Sequence, residues 1–245
     1  MKLVNFEDLP EYMKCDEVKE YYNILNKKKG QLFLKRFLDI MGSVLGIILL
    51  SPIMLVIAIW IKFDSEGPVL FKQIRITRYG KQFKIYKFRT MIVGAESKGA
   101  LVTTKNDQRI TNVGKILRKL RIDELPQIFN ILKGELSFVG TRPEVSKYVE
   151  KYTKEMLATL LLPAGVTSYT SILFKDEEKL LEQSKSIDED YVNEILPIKM
   201  KYNLEYIKYV GVIYDLKIII KTVSEVFAFK RISKVKDKKE NLNIN

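Results

Sequence analysis

The chain has 245 residues, 42 Lys and Arg against 30 Asp and Glu, a formal net charge of +12, one cysteine and no histidine. That length supports one domain with a real core and an accessory piece. The missing imidazoles exclude His bases, His triads and His metal sites, and a lone Cys15 excludes an internal disulfide or a thiolate zinc site, so chemistry falls to carboxylates, Lys, Arg, Ser, Thr and Tyr, and any metal to a hard, oxygen-held cation such as magnesium.

The charge is uneven. Residues 1–30 carry six Lys and six acids, whereas Lys62 to Arg142 holds 17 basic and 7 acidic residues. Such a field attracts phosphates, nucleic acid or an anionic membrane surface, and does not choose among them.

The first strong element is the run Ile40 to Ile61, "IMGSVLGIILLSPIMLVIAIWI", 22 residues without a charge. As a helix it is about 33 Å long, enough to cross a bilayer's hydrocarbon core, and it lacks the polar face of a soluble helix. It starts too far into the chain for a cleavable signal peptide. Both flanks are basic, with Lys27, Lys28, Lys29, Lys35 and Arg36 before it and Lys62, Lys72, Arg75 and Arg78 after it. The positive-inside tendency then asks for both ends on the cytoplasmic face. A re-entrant hairpin satisfies this if the helix breaks at Ser51-Pro52, leaving two arms of about 15 Å. The alternative is a spanning helix that tolerates its proline.

Next come two β-like segments, "GPVLFKQIRI" and "KQFKIYKFRTM", flanking a turn at Gly80. Residues 94–107 read as a polar loop. Asn112 to Arg121 reads as a basic helix with an apolar stripe of Val113, Ile116, Leu117 and Leu120, and a second helix is expected from Glu124 to Lys133, ending at Gly134. Residues 147–160 are expected to be helical and "LLPAGVTSYTSILF" to be loop or strand. Charged helical stretches follow to about residue 208, and a last apolar-faced helix starts at Asp215. The tail from Lys230 is charged, with the composition of a disordered segment.

Asp123-Glu124, in "RIDELPQIFN", is the leading chemical candidate. Asp123 can be read as a plain N-cap, with Pro126 in the first turn. It can equally be an ionised acid at a helix start ringed by Arg118, Lys119 and Arg121, able to act as nucleophile or hold magnesium. In "YKFRTM", Lys87 and Arg89 fall on one face of an extended chain and suit two oxygens of a diphosphate, or else form a solvated strand edge. Arg142, in "GTRPE", sits in a restricted turn that can aim a guanidinium at phosphate; the other reading is an ordinary surface turn. Asp107 and Arg109 read as a structural pair, and Asp39 as an ion-pair partner of Lys35 or Arg36. Acidic pair, basic shell and apolar helix together suit phosphoryl chemistry on a membrane-held substrate. A membrane hydrolase of nucleotide-sugar diphosphates and a non-catalytic basic membrane-surface scaffold are the rivals.

The ordered motifs "KRFLDIMGS", "LLSPIMLVIAIWIKFDSEGPVLFKQIRI", "FKIYKFRTM" and "DQRITNVGKILRKLRIDELPQIFNILKGELSFVGTRPE" resemble the bacterial sugar transferase family of monotopic polyprenyl-phosphate phosphoglycosyl transferases. The resemblance is dense from Lys35 to Glu144 and looser to Val223. It implies transfer of a sugar-1-phosphate from a nucleoside diphosphate sugar, usually a UDP-sugar, to undecaprenyl phosphate, releasing the nucleoside monophosphate and starting a cell-surface glycan such as capsule or exopolysaccharide. It implies Asp123 as nucleophile, Glu124 (with Asp123) as magnesium ligand or orienting group, and Lys87, Arg89, Arg118 and Arg142 as phosphate-binding residues. It further implies a re-entrant helix broken at Ser51 and Pro52, partnership with membrane lipids, a bacterial inner-membrane location with the catalytic part on the cytoplasmic face, and no nucleic-acid partner; self-association into a homo-oligomer stays open. Thr141-Arg142-Pro143 replaces the family's common Pro-Arg-Pro, and "PAGVTS" its "PGITG"-like stretch. The expected fold is α+β and mostly helical, with the re-entrant helix, interfacial amphipathic helices and a small β-hairpin. Its expected divisions are an accessory segment at 1–34, the membrane helix at 35–62, a cytoplasmic catalytic domain at 63–229 and the tail at 230–245.

Overall fold

The computed structural model describes residues 1–95, 107–174 and 187–225. Most of the polar loop expected at 94–107, and the whole tail expected from Lys230, lie outside the described residues.

Two short 3-10 turns lead into α1 (Asp16–Lys27), and α2 (Lys29–Asp64) follows at once. The N-terminal segment is part of the main core. Leu3, Leu9, Met13, Val18, Tyr21 and Leu25 bury against Ala158, Leu161, Leu204 and Ile207.

The apolar run forms a single helix of 36 residues with Pro52 inside it. Helical hydrogen bonding continues past Ser51-Pro52, so the expected break does not divide α2 into two helices. The local reason is legible. Proline lacks the N–H that the carbonyl of Ile48 needs, and the Ser51 hydroxyl donates to that carbonyl instead, at 3.0 Å. One face of α2 is buried at Leu32, Lys35, Asp39, Ser43, Met54, Ile57 and Ile61. The rest is exposed and apolar, and only 17% of its most apolar 18 residues is buried. A soluble core helix would be mostly buried; this one is long and apolar enough to cross a membrane.

β1 (Leu70–Ile76) and β2 (Gln82–Phe88) form the expected antiparallel hairpin, paired from Leu70 with Phe88 to Ile76 with Gln82. Tyr79, in its turn, takes φ 58, and Gly80 φ 71. α3 (Asn112–Leu120) starts at a Thr111 cap that accepts from the Gly114 N–H at 3.0 Å. The expected stripe on α3 divides: Val113 and Leu117 are buried against Ile57, Ile61 and Phe88, while Ile116 and Leu120 stay exposed. The helix expected from Glu124 instead begins later. A 3-10 turn at Ile122–Glu124 precedes α4 (Gln127–Lys133), because Arg121 turns left-handed at φ 58 and Pro126 fixes the start.

β3 (Leu136–Val139) pairs in parallel with β4 (Ala164–Thr167), joining α4 to the turn that carries Arg142. α5 (Ser146–Val149) and a 3-10 turn at Met156–Leu161 lie between these strands, and α6 (Tyr169–Leu173) follows β4. A helical lead-in, Ile187–Asp190 and the π-helical turn Tyr191–Ile195, runs into α7 (Leu196–Tyr209). α8 occupies 212–225. Its Ile213, Leu216, Ile220 and Val223 are exposed, as are Phe129 and Leu132 of α4. The β3–β4 contact is tight enough to predict a mutant. A Cβ on Gly165 would come within 2.1 Å of the Gly140 backbone nitrogen, so Gly165→Ala must separate the strands. Gly165→Ala is expected to lose at least about 2 kcal/mol of stability, read as a fall in Tm or loss of folded yield.

Candidate active site

Asp123 and Glu124 lie in the 3-10 turn between α3 and α4. Asp123 is buried and makes no capping hydrogen bond; the N-cap of α4 is Pro126. The plain N-cap reading of Asp123 is therefore incorrect, because the proline displaces the helix start by three residues.

Three parts of the chain converge on Glu124. Lys87, near the end of β2, donates to Glu124 Oε1 at 2.7 Å. Arg142, beyond β3, reaches the same oxygen at 3.5 Å. Arg121, from the left-handed residue that ends α3, adds its positive field. Arg118 lies close enough to bias Asp123, and its Nε donates to the Thr90 hydroxyl at 2.9 Å. Thr90 was not singled out in the sequence. Its signal was weak, since only the folded chain sets it against α3.

Arg89 goes elsewhere. It donates through Nη2 to the Ser65 carbonyl at 2.7 Å and hydroxyl at 3.0 Å, and through Nη1 to the Glu66 carbonyl. A cation on the C-cap carbonyl and the one after it matches the negative end of α2. Gly67, at φ 117, leaves room for it: a Cβ there would lie 2.1 Å from Arg89 Nη1. In this structure Lys87 and Arg89 thus bond different protein groups. Asp107 and Arg109 form the expected pair at 2.6 Å, and Arg109 holds the Asp107 carboxyl down at about 2. Asp39 is not the ion-pair partner of its own helix. It takes contacts from β3, while Lys35 pairs with Asp215 and Arg36 donates to the last carbonyls of α4, Ile131 and Leu132, at 2.6 and 2.8 Å.

The two site acids are electrostatically distinct. Burial pushes the Asp123 carboxyl above its ordinary value and the charge of Glu124 adds to this; Lys87 and Arg118 oppose without cancelling. Burial also acts to raise Glu124, but Lys87 and Arg142 override it and hold Glu124 at about 2. One acid is thereby fixed as an anion in a cationic clamp. Its neighbour is desolvated and more basic, as suits a nucleophile. No group of three or more acids that could cage a metal occurs among the described residues. Magnesium, however, commonly takes one or two protein carboxylates and completes its shell with substrate phosphates and water, so Asp123 and Glu124 fit that donor set.

The geometry sets a desolvated acid beside a cation-clamped acid in a chain that carries one helix long and apolar enough to cross a membrane. The bacterial sugar transferase family matches residues 30–229, and the chain belongs to it. It is 36% identical over 197 residues to a UDP-N-acetylgalactosamine-undecaprenyl-phosphate N-acetylgalactosaminephosphotransferase of Aeromonas hydrophila, covering 79% of this chain and 44% of the relative. It is 39% identical over 200 residues to a UDP-glucose:undecaprenyl-phosphate glucose-1-phosphate transferase of Klebsiella pneumoniae, covering 80% of this chain and 40% of the relative. An exopolysaccharide production protein of Rhizobium leguminosarum is 48% identical over 112 residues, covering 45% of this chain and 56% of that protein. The chain thus spans about two fifths to just over half of the length of these relatives.

Proposed function

We propose that this protein transfers a sugar-1-phosphate from a nucleoside diphosphate sugar, of the UDP-sugar class, to undecaprenyl phosphate, as an early step in making a cell-surface glycan such as capsule or exopolysaccharide. The observation that carries the reading is the pair of Asp123 and Glu124, one desolvated and one clamped by Lys87 and Arg142, in a chain of the sugar transferase family.

In the first half-reaction an Asp123 carboxylate oxygen attacks the sugar-bearing phosphorus. The new O–P bond forms as the bond to the bridging diphosphate oxygen breaks, and the nucleoside monophosphate leaves with that oxygen. In the second half-reaction a phosphate oxygen of undecaprenyl phosphate attacks the same phosphorus. The aspartyl O–P bond breaks, releasing undecaprenyl-diphosphate-sugar and the free carboxylate. Both steps bring anion to anion, so they need a cationic surround. Lys87, Arg118, Arg121 and Arg142 supply it, with Arg142 and Lys87 also orienting Glu124. Magnesium bound by Glu124 and Asp123 would add charge neutralisation of the diphosphate.

The membrane helix is read as re-entrant. The reading rests on its basic flanks, on the proline inside the apolar run, and on the packing of both ends against one body: Arg36 on α4 and Ile61 beside Leu117. Exposed apolar side chains of α3, α4 and α8 then lie in the interface with the lipid, and the site faces the cytoplasm at headgroup depth. With Cys15→Ser as background, cysteines replacing Lys29 and Glu66 are both expected to label from the cytoplasmic side in intact cells. Labelling of the two from opposite sides makes the helix a spanning one.

The decisive experiment incubates purified protein with a UDP-sugar and magnesium but without acceptor. A mass increase of one sugar-phosphate on the peptide holding Asp123, discharged by undecaprenyl phosphate, is expected. Product formation without that adduct overturns the covalent route. Release of nucleoside monophosphate without acceptor, at the same rate as with it, makes the protein a hydrolase.

A further inference from the structure

Outside the site, the base of the membrane helix holds a buried polar cluster that the mechanism does not use. Lys35, Asp39, Tyr206 and Asp215 are 4%, 4%, 6% and 8% exposed. Lys35 Nζ donates to Asp215 Oδ2 at 2.6 Å and to the carbonyl of Val139 at 2.7 Å. Tyr206 donates to Asp215 Oδ1 at 2.7 Å. One turn along α2, Asp39 Oδ1 accepts from the Ser137 hydroxyl and from the Phe138 N–H, both at 3.1 Å. Its second oxygen, Oδ2, is buried with no partner among the described residues. Burying an ammonium and two carboxylates is costly, and an apolar contact of the kind made by Leu32 would dock the helix more cheaply. The charged groups do something an apolar contact cannot: they grip Ser137, Phe138 and Val139, three consecutive residues, by named polar atoms.

That strand leads straight into the site. After Val139, the Gly140 N–H donates to the Thr167 carbonyl at 3.0 Å and the Gly165 N–H to the Thr141 carbonyl at 2.8 Å. Gly140 and Gly165 are in backbone contact. The chain is therefore held by α2 through residue 139 and by β4 at 140 and 141, and the next residue is Arg142, whose guanidinium reaches Glu124 at 3.5 Å. Close-packed segments of this kind pass displacements on and do not absorb them.

We infer that Lys35 and Asp39 are positioning residues, which set Arg142 against Glu124 by fixing β3 to the base of the membrane helix. The inference rests on the transferase reading of that site. It makes the seating of the membrane helix a condition for the geometry of the phosphate clamp, since misplacing a binding group by about 1 Å can cost on the order of 100-fold in rate.

The test is a double-mutant cycle on the full chain in lipid nanodiscs, reading nucleoside monophosphate release with UDP-sugar, undecaprenyl phosphate and magnesium. Lys35→Met is expected to lower kcat by about 30- to 100-fold. In an Arg142→Ala background the same substitution is expected to lower kcat by less than about threefold, because the residue through which it acts is gone. Lys35→Arg, which keeps a donor for both Val139 and Asp215, should recover most of the loss. If Lys35→Met does not fold, Ser137→Ala enters the cycle in its place, with a smaller loss that likewise vanishes when Arg142 is absent. Losses that multiply in the double variant, or a wild-type kcat in Lys35→Met, overturn the inference and leave the transferase reading standing. A wild-type chain that releases no monophosphate with any donor takes both down.

Discussion

Asp123→Asn is expected to abolish turnover, by at least about 10³-fold in kcat, with membrane association kept. The substitution is isosteric and removes the charge and nucleophilicity of the oxygen proposed to attack. Its effect on stability runs the other way. Asp123 has a raised carboxyl pKa, from burial first and then from Glu124. A group whose folded pKa exceeds its unfolded value stabilises the fold while protonated. That stability is lost as pH rises from the ordinary value through the raised one. At neutral pH the wild-type chain therefore carries the cost of an ionised, desolvated Asp123, and Asn does not. Thermal melts without magnesium should show Asp123→Asn at least as stable as wild type at pH 7, with the difference shrinking towards acid. Full activity in this variant removes Asp123 from the chemistry. A large fall in Tm makes it a structural residue.

The second large effect is expected at Lys87. Lys87→Met removes the 2.7 Å partner of Glu124 and keeps the longer contact to Arg142, at 3.5 Å. Glu124 is then less firmly held as an anion, and its carboxyl pKa should rise from about 2 towards the ordinary range. On the proposed mechanism the site also loses a cation from the shell that offsets anion attacking anion. A fall of about 10²- to 10³-fold in kcat/KM for the donor is expected, shared between binding and the chemical step. The pair is partly open to solvent, with side chains 23% and 17% exposed, so the stability loss should stay near about 1 kcal/mol. Lys87→Arg should restore charge but not position, recovering donor binding more than kcat. Donor titrations with and without turnover separate the two. Unchanged kcat/KM in Lys87→Met means the clamp does not work on substrate.

These effects trace unequally to the sequence. The apolar run of α2, the hairpin around Gly80 and the basic helix α3 were legible because each is a local pattern: a long uncharged stretch, an alternation with a turn residue, an apolar spacing of three and four. The stretch from Arg121 to Gln127 was not. Two local rules competed there, an acidic N-cap at Asp123 and a proline start at Pro126, and the proline prevailed because its fixed φ and missing N–H suit a helix start while Arg121 took the left-handed turn. The parallel pair β3–β4 was half seen, since a strand of four residues with its partner about 30 positions later has no local period.

By itself the sequence determined the chemistry open to this protein. The absence of histidine and of a cysteine pair, the Asp123-Glu124 dyad, the basic central segment and the lipid-suited helix are all properties of residue type and order. Tertiary structure alone decided which cations meet which acid. Lys87 and Arg142 lie 37 and 18 positions from Glu124, and both reach it. Arg89, two residues beyond Lys87, caps a helix end. Lys35 passes over its near neighbour Asp39 for Asp215, 180 positions away. Charge attracts at any sequence separation, and a buried ion must find a partner with the right geometry. The choice among several equally charged candidates is therefore made by packing, which no local pattern encodes.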